Sequence, residues 1–333
     1  MKVFKILLSI LYISLINIRN WLYDIGFLTA HNFSTPIISI GNITAGGNGK
    51  TPMVVYIAKK LIDKDYCIGI ISRGYKKKSS GTVIVSNGKK ILCDVISCGD
   101  EAYLMAKNCP ESIIIVDKNK IRAIEIMIGK FNPDLILIDD GFQFRKIKKT
   151  LDIILINIKI PIDLYKFLPH GLLREPISNI KRADMIITTY GKELNNKINI
   201  DNNIPLYNSN MRFSIKKGCN GELISSEITN DLNILAFCGI AHPDLFINAV
   251  KESGIKILEQ IIFIDHAAYT KTKIDKIDKL VSNKNIDCLI TTEKDFVKLP
   301  STLVDKYNIY VLCMDINFGK DYRVIDKLLF SIK

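Results

Sequence analysis

Residues 36–62 read PIISIGNITAGGNGKTPMVVYIAKKLI. The stretch begins with a continuous apolar run, which predicts a strand buried on both faces, and it ends in a segment that predicts a helix. A glycine-rich loop between a buried strand and a helix N-terminus can bind phosphate, because its backbone N–H groups can turn inward around the oxygens. We therefore expect a P-loop-type α/β fold, although Thr44 stands where the pattern G-x-x-x-x-G-K-[ST] begins with glycine.

The glycine-rich loop carries the groups that a nucleotide site needs. Gly46, Gly47 and Gly49 give the backbone the freedom to surround phosphate oxygens. Lys50 can reach the β- and γ-phosphates, and the Thr51 hydroxyl can bind Mg²⁺. A merely structural turn has no need of Gly-Lys-Thr at the start of a helix, so the loop predicts a bound nucleotide.

Two adjacent carboxylates end the apolar run in DLILIDDGFQF, residues 134–144. Asp139 and Asp140 repel each other and are unfavourable to hold together without a cation. The alternative, a solvated turn after the strand, explains the presence of one acidic residue but not of two adjacent ones. We expect the pair to chelate Mg²⁺, directly or through water.

Short apolar runs alternate with helical stretches along most of the chain, which predicts a mostly parallel sheet with flanking helices. Strands are predicted at 36–40, 67–71, 82–86, 112–117, 134–139, 151–158, 183–189, 233–240, 261–265, 286–295 and 308–316. Helices are predicted at about 50–64, 100–108 and 119–130, and from about 243 and 271. The polar stretch 192–226 predicts a domain boundary. We expect a membrane-associating helix at 1–28, a P-loop domain at 29–215 and a second, smaller α/β domain at 227–333.

The N-terminus begins with an apolar run at residues 3–18, and Arg19, Trp21 and Tyr23 follow it. Those three residue types sit at lipid headgroup boundaries. Sixteen helical residues reach about 24 Å, which is short against about 30 Å of hydrocarbon. Because no small-x-small cleavage site follows, we favour a retained helix that lies on, or dips into, a membrane from the cytosolic side. A buried core helix and a signal peptide are the alternatives.

The chain carries 46 Lys and Arg against 34 Asp and Glu, a net charge of +12. This excess favours an anionic partner, the alternative being a solvated lysine-rich surface. The one dense basic cluster, residues 76–78, is not followed by an aromatic-interleaved stripe, so we expect no nucleic-acid partner. The eight cysteines include no C-x-x-C pair, which argues against a structural zinc site.

Two classes of protein use this phosphate-binding machinery: phosphotransferases and membrane-surface ATPase switches with the loop K-G-G-x-G-K-T. In AGGNGKT, Ala45 takes the position of the signature lysine of the switches. The substitution removes the charge that a switch uses across its dimer. The sequence therefore favours a kinase over a switch.

A kinase needs a base near its acceptor hydroxyl. Asp100 and Glu101 stand at the start of a predicted helix in CGDEAYLMA, and Asp265 and His266 follow a predicted strand in IDHAAYT. A carboxylate oriented by an imidazole can accept the hydroxyl proton. The alternative is that the two acids are helix caps, which are common at this position.

The motifs and their order in the chain resemble those of the tetraacyldisaccharide 4'-kinase family, the lipid A 4'-kinases of Gram-negative inner membranes. The similarity runs nearly end to end and includes RNWLY, GNITAGGNGKTP, ISRGY, GDE, DDGFQ, LLREP, GIAHP, DHAAY and TTEKD. The family also carries threonine at the first loop position. The resemblance implies ATP- and Mg²⁺-dependent phosphorylation of the 4'-hydroxyl of a tetraacyldisaccharide 1-phosphate, forming the bisphosphorylated lipid A precursor at the cytoplasmic face of the inner membrane.

The resemblance also implies roles for individual residues. Those matching the nucleotide site are Thr44, Gly46, Gly47, Asn48, Gly49, Lys50, Thr51 and Arg122. The catalytic set is Asp100, His266 and Lys50. The metal-site set is Thr51, Asp139, Asp140 and Glu175. Additional anion contacts are expected from Arg73 and Arg174.

Two positions depart from the family pattern: Phe144 replaces a histidine after DDGFQ, and Ala102 replaces a common proline after GDE. The first change removes a polar group, and we expect the second to affect only the stiffness of the loop. His170 is either a cleft residue or a turn residue, and we expect His242 to be structural. The partners implied are the disaccharide precursor, whose head group would enter a cleft between the domains, and the inner-membrane phospholipid surface. No obligate protein partner is inferred.

Overall fold

The structure, a computed structural model, describes residues 2–191, 198, 200, 201, 203–218, 221–223, 232–323 and 326. The chain divides into two compact units. The larger unit comprises residues 1–98, 105–211 and 316–333, and the smaller unit comprises residues 99–104 and 212–315. The domain ranges expected from the sequence stay predictions.

An eight-stranded sheet forms the centre of the larger unit. Its strands are β1 (Ile37–Asn42), β2 (Ile68–Ser72), β3 (Val83–Asn87), β4 (Ile113–Val116), β5 (Leu135–Asp139), β6 (Leu151–Asn157), β7 (Met185–Thr189) and β8 (Leu206–Asn208). Their order across the sheet is β3-β4-β2-β5-β1-β6-β7-β8. Every neighbouring pair is parallel except β3 and β4, which are antiparallel. The prediction of a mostly parallel sheet is confirmed.

The helices flank the two sheets. In chain order they are α1 (Lys2–Asp24), α2 (Lys50–Ile62), α3 (Val95–Cys98), α4 (Asp100–Asn108), α5 (Lys120–Phe131), α6 (Pro243–Glu252), α7 (Lys271–Lys284), α8 (Glu293–Phe296) and α9 (Ser301–Lys306). The Asn119 side chain caps α5 by accepting hydrogen bonds from the N–H groups of Ile121 and Arg122. Apolar residues of α5 such as Met127 pack on β5 residues such as Ile136, which buries the sheet on that face.

The smaller unit is built on a five-stranded sheet. Its strands are β9 (Asn210–Lys217), β10 (Ile234–Cys238), β11 (Ile257–Ile262), β12 (Cys288–Thr292) and β13 (Ile309–Asn317), in the order β11-β10-β12-β13-β9. Phe237, Leu289 and Ile277 pack together in one of its cores. The prediction of a second α/β fold in the C-terminal part of the chain is confirmed.

Two strands lie in the polar stretch 192–226, where no strand was predicted. β8 lies at the edge of the large sheet and β9 at the edge of the small one. In β9 only Ile215 is buried, because an edge strand packs few of its side chains. Edge strands of this kind lack the continuous apolar run on which the prediction depended.

Two predicted strands differ from the observed strands by more than the one or two residues found at the others. The strand predicted at 261–265 is β11, which begins earlier, at Ile257; its side chains alternate in burial, so its apolar run is not continuous. The strand predicted at 286–295 ends at Thr292. The Thr292 hydroxyl accepts a hydrogen bond from the Asp295 N–H and thereby starts α8.

The N-terminal helix is longer than the predicted apolar run, since it continues to Asp24. Its 23 residues reach about 34 Å at about 1.5 Å per residue. In the part of the chain that the structure describes, α1 is the one helix long and apolar enough to cross a membrane.

One face of α1 is joined to the rest of the larger unit along most of its length. The contacts are Ser9 Oγ to Phe167 O at 3.0 Å, Tyr12 OH to Arg174 O at 2.8 Å, Asn20 Nδ2 to Glu175 Oε2 at 3.2 Å and Arg145 Nη2 to Asp24 Oδ1 at 2.7 Å. The opposite face exposes more than half of each apolar side chain at Val3, Phe4, Leu7, Ile10, Leu11, Leu15, Ile18 and Trp21.

Candidate active site

The phosphate loop, residues 41–52, runs from the end of β1 through the connecting turn to the first residues of α2, as the sequence predicts. Neighbouring side chains bind its carbonyl oxygens: Asn42 Nδ2 to Thr44 O at 2.6 Å, Asn48 Nδ2 to Gly46 O at 3.1 Å, Asn157 Nδ2 to Gly47 O at 3.1 Å and Thr189 Oγ1 to Asn48 O at 3.3 Å. The donors come from β1, β6, β7 and the loop itself. The loop is therefore fixed by the sheet before any ligand binds.

Thr44 is buried and forms an isolated antiparallel bridge with Leu173. Its hydroxyl donates a hydrogen bond to Asn48 Oδ1 at 3.1 Å. A β-branched residue suits the extended backbone of a bridge, whereas glycine would add flexibility. The structure thus gives a physical reason for threonine at the first position of this loop.

Gly49 lies immediately before α2 and has a φ of 78°. This φ is strained for any residue with a side chain, and a Cβ here would lie 2.3 Å from Met211 Cε, so the flexible methionine side chain would also have to move. Lys50 is the first residue of α2, and its Nζ donates to Asn42 Oδ1 at 3.2 Å. The buried Thr51 is the second residue of the same turn.

Asp140 follows β5 in a left-handed conformation, with a φ of 52°. Arg174 Nη1 lies 2.9 Å from both of its carboxylate oxygens, and Lys50 Nζ lies 3.5 Å from Oδ1. Burial alone would raise the pKa of this carboxyl, but Lys50, Arg174 and Lys120 outweigh it and lower the pKa to about 2. Asp140 therefore carries its charge at neutral pH.

Lys120, which the sequence did not single out, supports this turn from the interior. Its Nζ donates hydrogen bonds of 2.7 Å to the carbonyl oxygens of both Asp139 and Asp140. Burial lowers the pKa of Lys120 to about 8, although the two aspartates partly offset the effect. The same Nζ lies 5.8 Å from the centre of the Phe144 ring, which occupies the position of the family histidine.

The Asp139 carboxylate and the Thr51 hydroxyl, both expected at the metal site, are oxygen ligands of the kind that Mg²⁺ prefers. Asp139 Oδ2 accepts a hydrogen bond from Ser72 Oγ at 3.0 Å, and Asp139 pairs in register with Ile40, just before the phosphate loop. In the described residues, no group of three or more His, Cys, Asp and Glu side chains is placed to hold a metal. Mg²⁺ needs no such group, because it commonly takes one or two carboxylates together with nucleotide phosphates and water. A hydroxyl from Thr51 and a carboxylate from Asp139 fit this requirement.

Glu175 is completely buried, and its two oxygens lie among cations and amides. Its contacts are Arg182 Nη2 at 2.5 Å, Asn179 Nδ2 at 2.8 Å, Asn20 Nδ2 at 3.2 Å and Arg19 Nη2 at 3.4 Å. Two of these partners belong to α1. Glu175 thus connects α1 to the larger unit, and its role in metal or nucleotide binding stays a prediction.

Arg122 binds Asp117 through two hydrogen bonds, from Nε at 2.8 Å and from Nη2 at 2.9 Å. Asp117 also accepts from the Thr82 hydroxyl and the Asn119 N–H. Burial raises the pKa of Asp117, but these hydrogen bonds and the Arg122 charge outweigh it and lower the pKa to about 2. The expected phosphate contact of Arg122 stays a prediction, as does the anion contact of Arg73, which is exposed just after β2.

The smaller unit brings Asp100 and His266 together, as the sequence predicts. His266 Nδ1 lies 2.7 Å from Asp100 Oδ2, and both side chains are largely buried. Asp100 is the first residue of α4, and His266 lies in the turn after β11. With a proton on Nδ1, the imidazole donates to the carboxylate and fixes its orientation.

Two lysines that the sequence left without a role lie beside this pair. Lys294 Nζ is 2.6 Å from Glu101 Oε1, and Lys298 Nζ is 3.9 Å from Asp100 Oδ2. Burial raises the pKa of Asp100, but the hydrogen bond and charge of His266 and the charges of the two lysines outweigh it, so that the pKa is lowered. The motif TTEKD, residues 291–295, was a signal that could have identified Lys294, whereas Lys298 lies outside it.

His170 lies in a tight turn, where its backbone N–H donates to Phe167 O at 2.9 Å and contacts Ser9 Oγ at 3.2 Å. These contacts favour the interpretation of His170 as a turn residue. His242 immediately precedes α6 and makes no side-chain cap.

A family profile described as "LpxK: Tetraacyldisaccharide-1-P 4'-kinase" matches residues 1–333. The chain is 33% identical to the tetraacyldisaccharide 4'-kinase of Halothermothrix orenii, over 95% of the chain and 90% of the relative. It is also 33% identical to the tetraacyldisaccharide 4'-kinase of Aquifex aeolicus, over 97% of the chain and 96% of the relative. A crystal structure of "apo" form LpxK from Aquifex aeolicus in complex with ATP is similar with a TM-score of 0.80 and 32% identity, and the match covers 98% of each chain.

Proposed function

Since this chain belongs to the tetraacyldisaccharide 4'-kinase family, we propose which of its residues carry out each part of the reaction. The protein is an ATP-binding kinase of lipid A biosynthesis, and the reaction is ATP-dependent phosphorylation of the 4'-hydroxyl of a tetraacyldisaccharide 1-phosphate. The predictions of family, fold class and enzyme class are confirmed by these comparisons.

Asp100 is the proposed general base. Its carboxylate accepts the proton of the 4'-hydroxyl as the hydroxyl oxygen forms a bond to the γ-phosphorus of ATP, and the bond from that phosphorus to the β–γ bridging oxygen breaks to release ADP. The observation that carries this assignment is the 2.7 Å contact between Asp100 Oδ2 and His266 Nδ1. His266 orients the carboxylate, and the lowered pKa of Asp100 keeps it ionised and able to accept a proton.

Lys50 is proposed to neutralise charge on the transferred phosphoryl group. In the free protein its Nζ lies between Asn42 Oδ1 and Asp140 Oδ1, at 3.2 Å and 3.5 Å. Arg174 already satisfies both oxygens of Asp140, so Lys50 can exchange its weaker contact for a phosphate oxygen. Asp140 thus serves as the resting counter-ion of the catalytic lysine.

Mg²⁺ is the proposed metal, and Thr51 and Asp139 are the proposed protein ligands. Asp140 contributes through its charge, since its oxygens already bind Arg174. When bound, Mg²⁺ would neutralise negative charge on the nucleotide phosphates. The protein contributes the buried hydroxyl, the carboxylate at the end of β5 and the pre-formed loop.

The proposed location is the cytoplasmic face of the inner membrane, with α1 lying on the bilayer surface. A full span would require contacts from Ser9 through Asp24 to be released, because those residues bind the larger unit along one face of the helix. The opposite face exposes a continuous set of large apolar side chains. An interfacial helix satisfies both faces at once.

The test of function is direct. Purified protein, ATP, Mg²⁺ and a tetraacyl disaccharide 1-phosphate should yield ADP and a bisphosphorylated lipid in equal amounts. Asp100→Asn should bind ATP normally and transfer little phosphate. Hydrolysis of ATP without a bisphosphorylated lipid would contradict kinase activity, and normal turnover by Asp100→Asn would contradict the assignment of the base.

A further inference from the structure

Asp295, in α8 of the smaller unit, has no solvent exposure. Its Oδ2 accepts hydrogen bonds from the Gly239 N–H at 2.9 Å and the Thr292 hydroxyl at 2.8 Å, and its Oδ1 accepts from Lys298 Nζ at 2.9 Å. An ionised carboxylate is strongly disfavoured in a protein interior unless it is paired and hydrogen-bonded in this way. The reaction as proposed makes no direct use of Asp295, so its place in the interior needs another explanation.

Through its hydrogen bond to Gly239, Asp295 is connected to the backbone of His266. Asp295 binds the N–H of Gly239, and the carbonyl of the same Gly239 accepts a hydrogen bond from the His266 N–H at 2.9 Å. A Cβ on Gly239 would lie 3.0 Å from Ile264 O, so the turn that carries His266 packs directly on this glycine. His266 has a φ of 56°, a conformation that residues other than glycine adopt only when their surroundings enforce it.

Through its ion pair with Lys298, Asp295 is also connected to the Asp100 carboxylate. Lys298 Nζ lies 2.9 Å from Asp295 Oδ1 and 3.9 Å from Asp100 Oδ2. That same Asp100 oxygen is the one bound to His266 Nδ1. Lys298 is largely buried, so its charge acts on Asp100 with little screening by solvent.

We propose that Asp295 and Lys298 are positioning residues for the Asp100–His266 pair: Asp295 fixes the turn that carries His266 and holds Lys298 against Asp100. One buried carboxylate thereby orients both halves of the pair without touching either. This inference rests on the proposed role of Asp100 as the base. It extends that role to two residues that contact neither nucleotide nor acceptor in the proposed mechanism.

The proposal gives the pH dependence of the reaction a direction. The charged and titratable groups around the pair are His266 and Asp265 from the turn after β11, Glu101 from α4, Lys294 from α8 and Lys298 from the turn after α8. Asp100 must be ionised to act, so turnover is lost as the pH falls through its pKa. Removing the Lys298 charge removes one of the causes that lower this pKa. The acid limb of the pH profile should therefore move to higher pH.

The experiment uses the full-length protein with Lys298→Met, Lys298→Arg and Asp295→Asn, and it uses Lys306→Met as the control. Lys306 forms an exposed ion pair with Asp278 in the same unit. The rates of transfer from ATP to a tetraacyl disaccharide 1-phosphate in detergent micelles are measured from acid to neutral pH. Lys298→Met should lower kcat by about 10- to 100-fold and leave the KM for ATP within about twofold. Lys306→Met should match the unaltered protein.

Two further measurements separate positioning from general damage. Lys298→Arg keeps the charge and should recover most of kcat together with the original acid limb. In the double variant Asp100→Asn/Lys298→Met, the loss should be no greater than in Asp100→Asn, because residues that act through one group are not additive. If Asp295→Asn fails to fold, the three Lys298 measurements decide the matter.

The role of Asp100 as the base and the positioning role of Lys298 can be tested separately. Normal turnover by Asp100→Asn would remove the proposed base and the positioning role with it. A large loss in Asp100→Asn, together with an unchanged kcat and acid limb in Lys298→Met, would overturn the positioning role and leave the base in place. An equal loss of kcat in Lys298→Met and Lys306→Met would also overturn it, since the effect would then be general.

Discussion

Arg174 Nη1 lies 2.9 Å from each carboxylate oxygen of Asp140, the residue that also faces Lys50. Arg174→Met should leave Asp140 to bind Lys50 more tightly, so that the lysine becomes less available to phosphate. We expect kcat/KM for ATP to fall by about 10- to 100-fold, the effect of losing a charge-assisted hydrogen bond. Arg174→Lys should recover only part of the loss because an ammonium group lacks the planar geometry of guanidinium. Steady-state kinetics with varied ATP checks this, and full recovery by Arg174→Lys would contradict it.

Lys50→Met should reduce turnover far more than stability. The lysine stabilises charge that develops in the transition state, and removal of one such group lowers kcat by about 10²- to 10³-fold. In the free protein the Lys50 contacts to Asn42 and Asp140 are long, at 3.2 Å and 3.5 Å, and Arg174 still binds Asp140 in the variant, so the free energy of unfolding should change by about 1 kcal/mol. Turnover and urea unfolding of Lys50→Met are compared with those of Lys59→Met, an exposed change on the same helix. A loss of stability that accounts for the lost turnover would oppose the assignment.

Gly49→Ala should damage the phosphate loop, because the φ of 78° is unfavourable for alanine and its Cβ would lie 2.3 Å from Met211 Cε. We expect a loss of stability of about 1–3 kcal/mol and weaker ATP binding. The matched control is Gly129→Ala, where a Cβ meets nothing within 4 Å in the helix α5. That change should stabilise the protein by about 0.5–1 kcal/mol. Thermal unfolding and ATP titration separate the two, and equal effects would refute the argument.

Asp117→Asn should alter the dependence of the free energy of unfolding on pH. The pKa of Asp117 is lowered from 3.8 to about 2, so its ionised form stabilises the native state above about pH 4, and this contribution is lost as the pH falls through about 2. The variant should be less stable than the unaltered protein at pH 7 and nearly equal to it at pH 2. Free energies of unfolding across this range provide the measurement, with the exposed change Asp275→Asn as the control. Parallel curves for Asp117→Asn and the unaltered protein would contradict the prediction.

Replacing Leu7, Leu11 and Leu15 together with glutamine should weaken binding to the membrane and spare the chemistry. These side chains are each more than half exposed on the free face of α1. We expect binding to vesicles of anionic phospholipid to fall at least about tenfold, since each leucine contributes apolar area at the interface. Transfer to a detergent-solubilised acceptor should be retained. Leu92→Gln with Ile96→Gln, two other exposed apolar side chains, should leave vesicle binding unchanged.

The parts of the fold that the sequence predicted are those in which local pattern and burial agree. β1, β2 and β5 are buried along their whole length, so their runs rich in Ile and Leu are visible without knowledge of their neighbours. β8 and β9 are edge strands with partly exposed side chains, and only their pairing partners define them. Hydrogen bonding to a partner strand leaves no local pattern in the sequence.

The candidate site shows the same division. The phosphate loop is one contiguous segment and the Asp139–Asp140 pair is another. The chemistry of each can therefore be predicted from its residue types. Lys120 and Lys298 act through contacts to residues far away in the chain, and a lysine in a sequence gives no sign that it is buried. Glu175 was expected at a metal, whereas its observed partners are basic and amide side chains that a motif of five residues does not reveal.

Residues 99–104 belong to the smaller unit although the chain on either side of them belongs to the larger one. Asp100 meets His266 across 166 positions of sequence, so a fragment that begins at residue 212 carries the histidine without its acid. The smaller unit is therefore not a portable module that could be expressed, fused or exchanged between relatives as one contiguous segment. A chimaera that takes residues 212–315 from a relative would have to take the short GDE segment from the same parent.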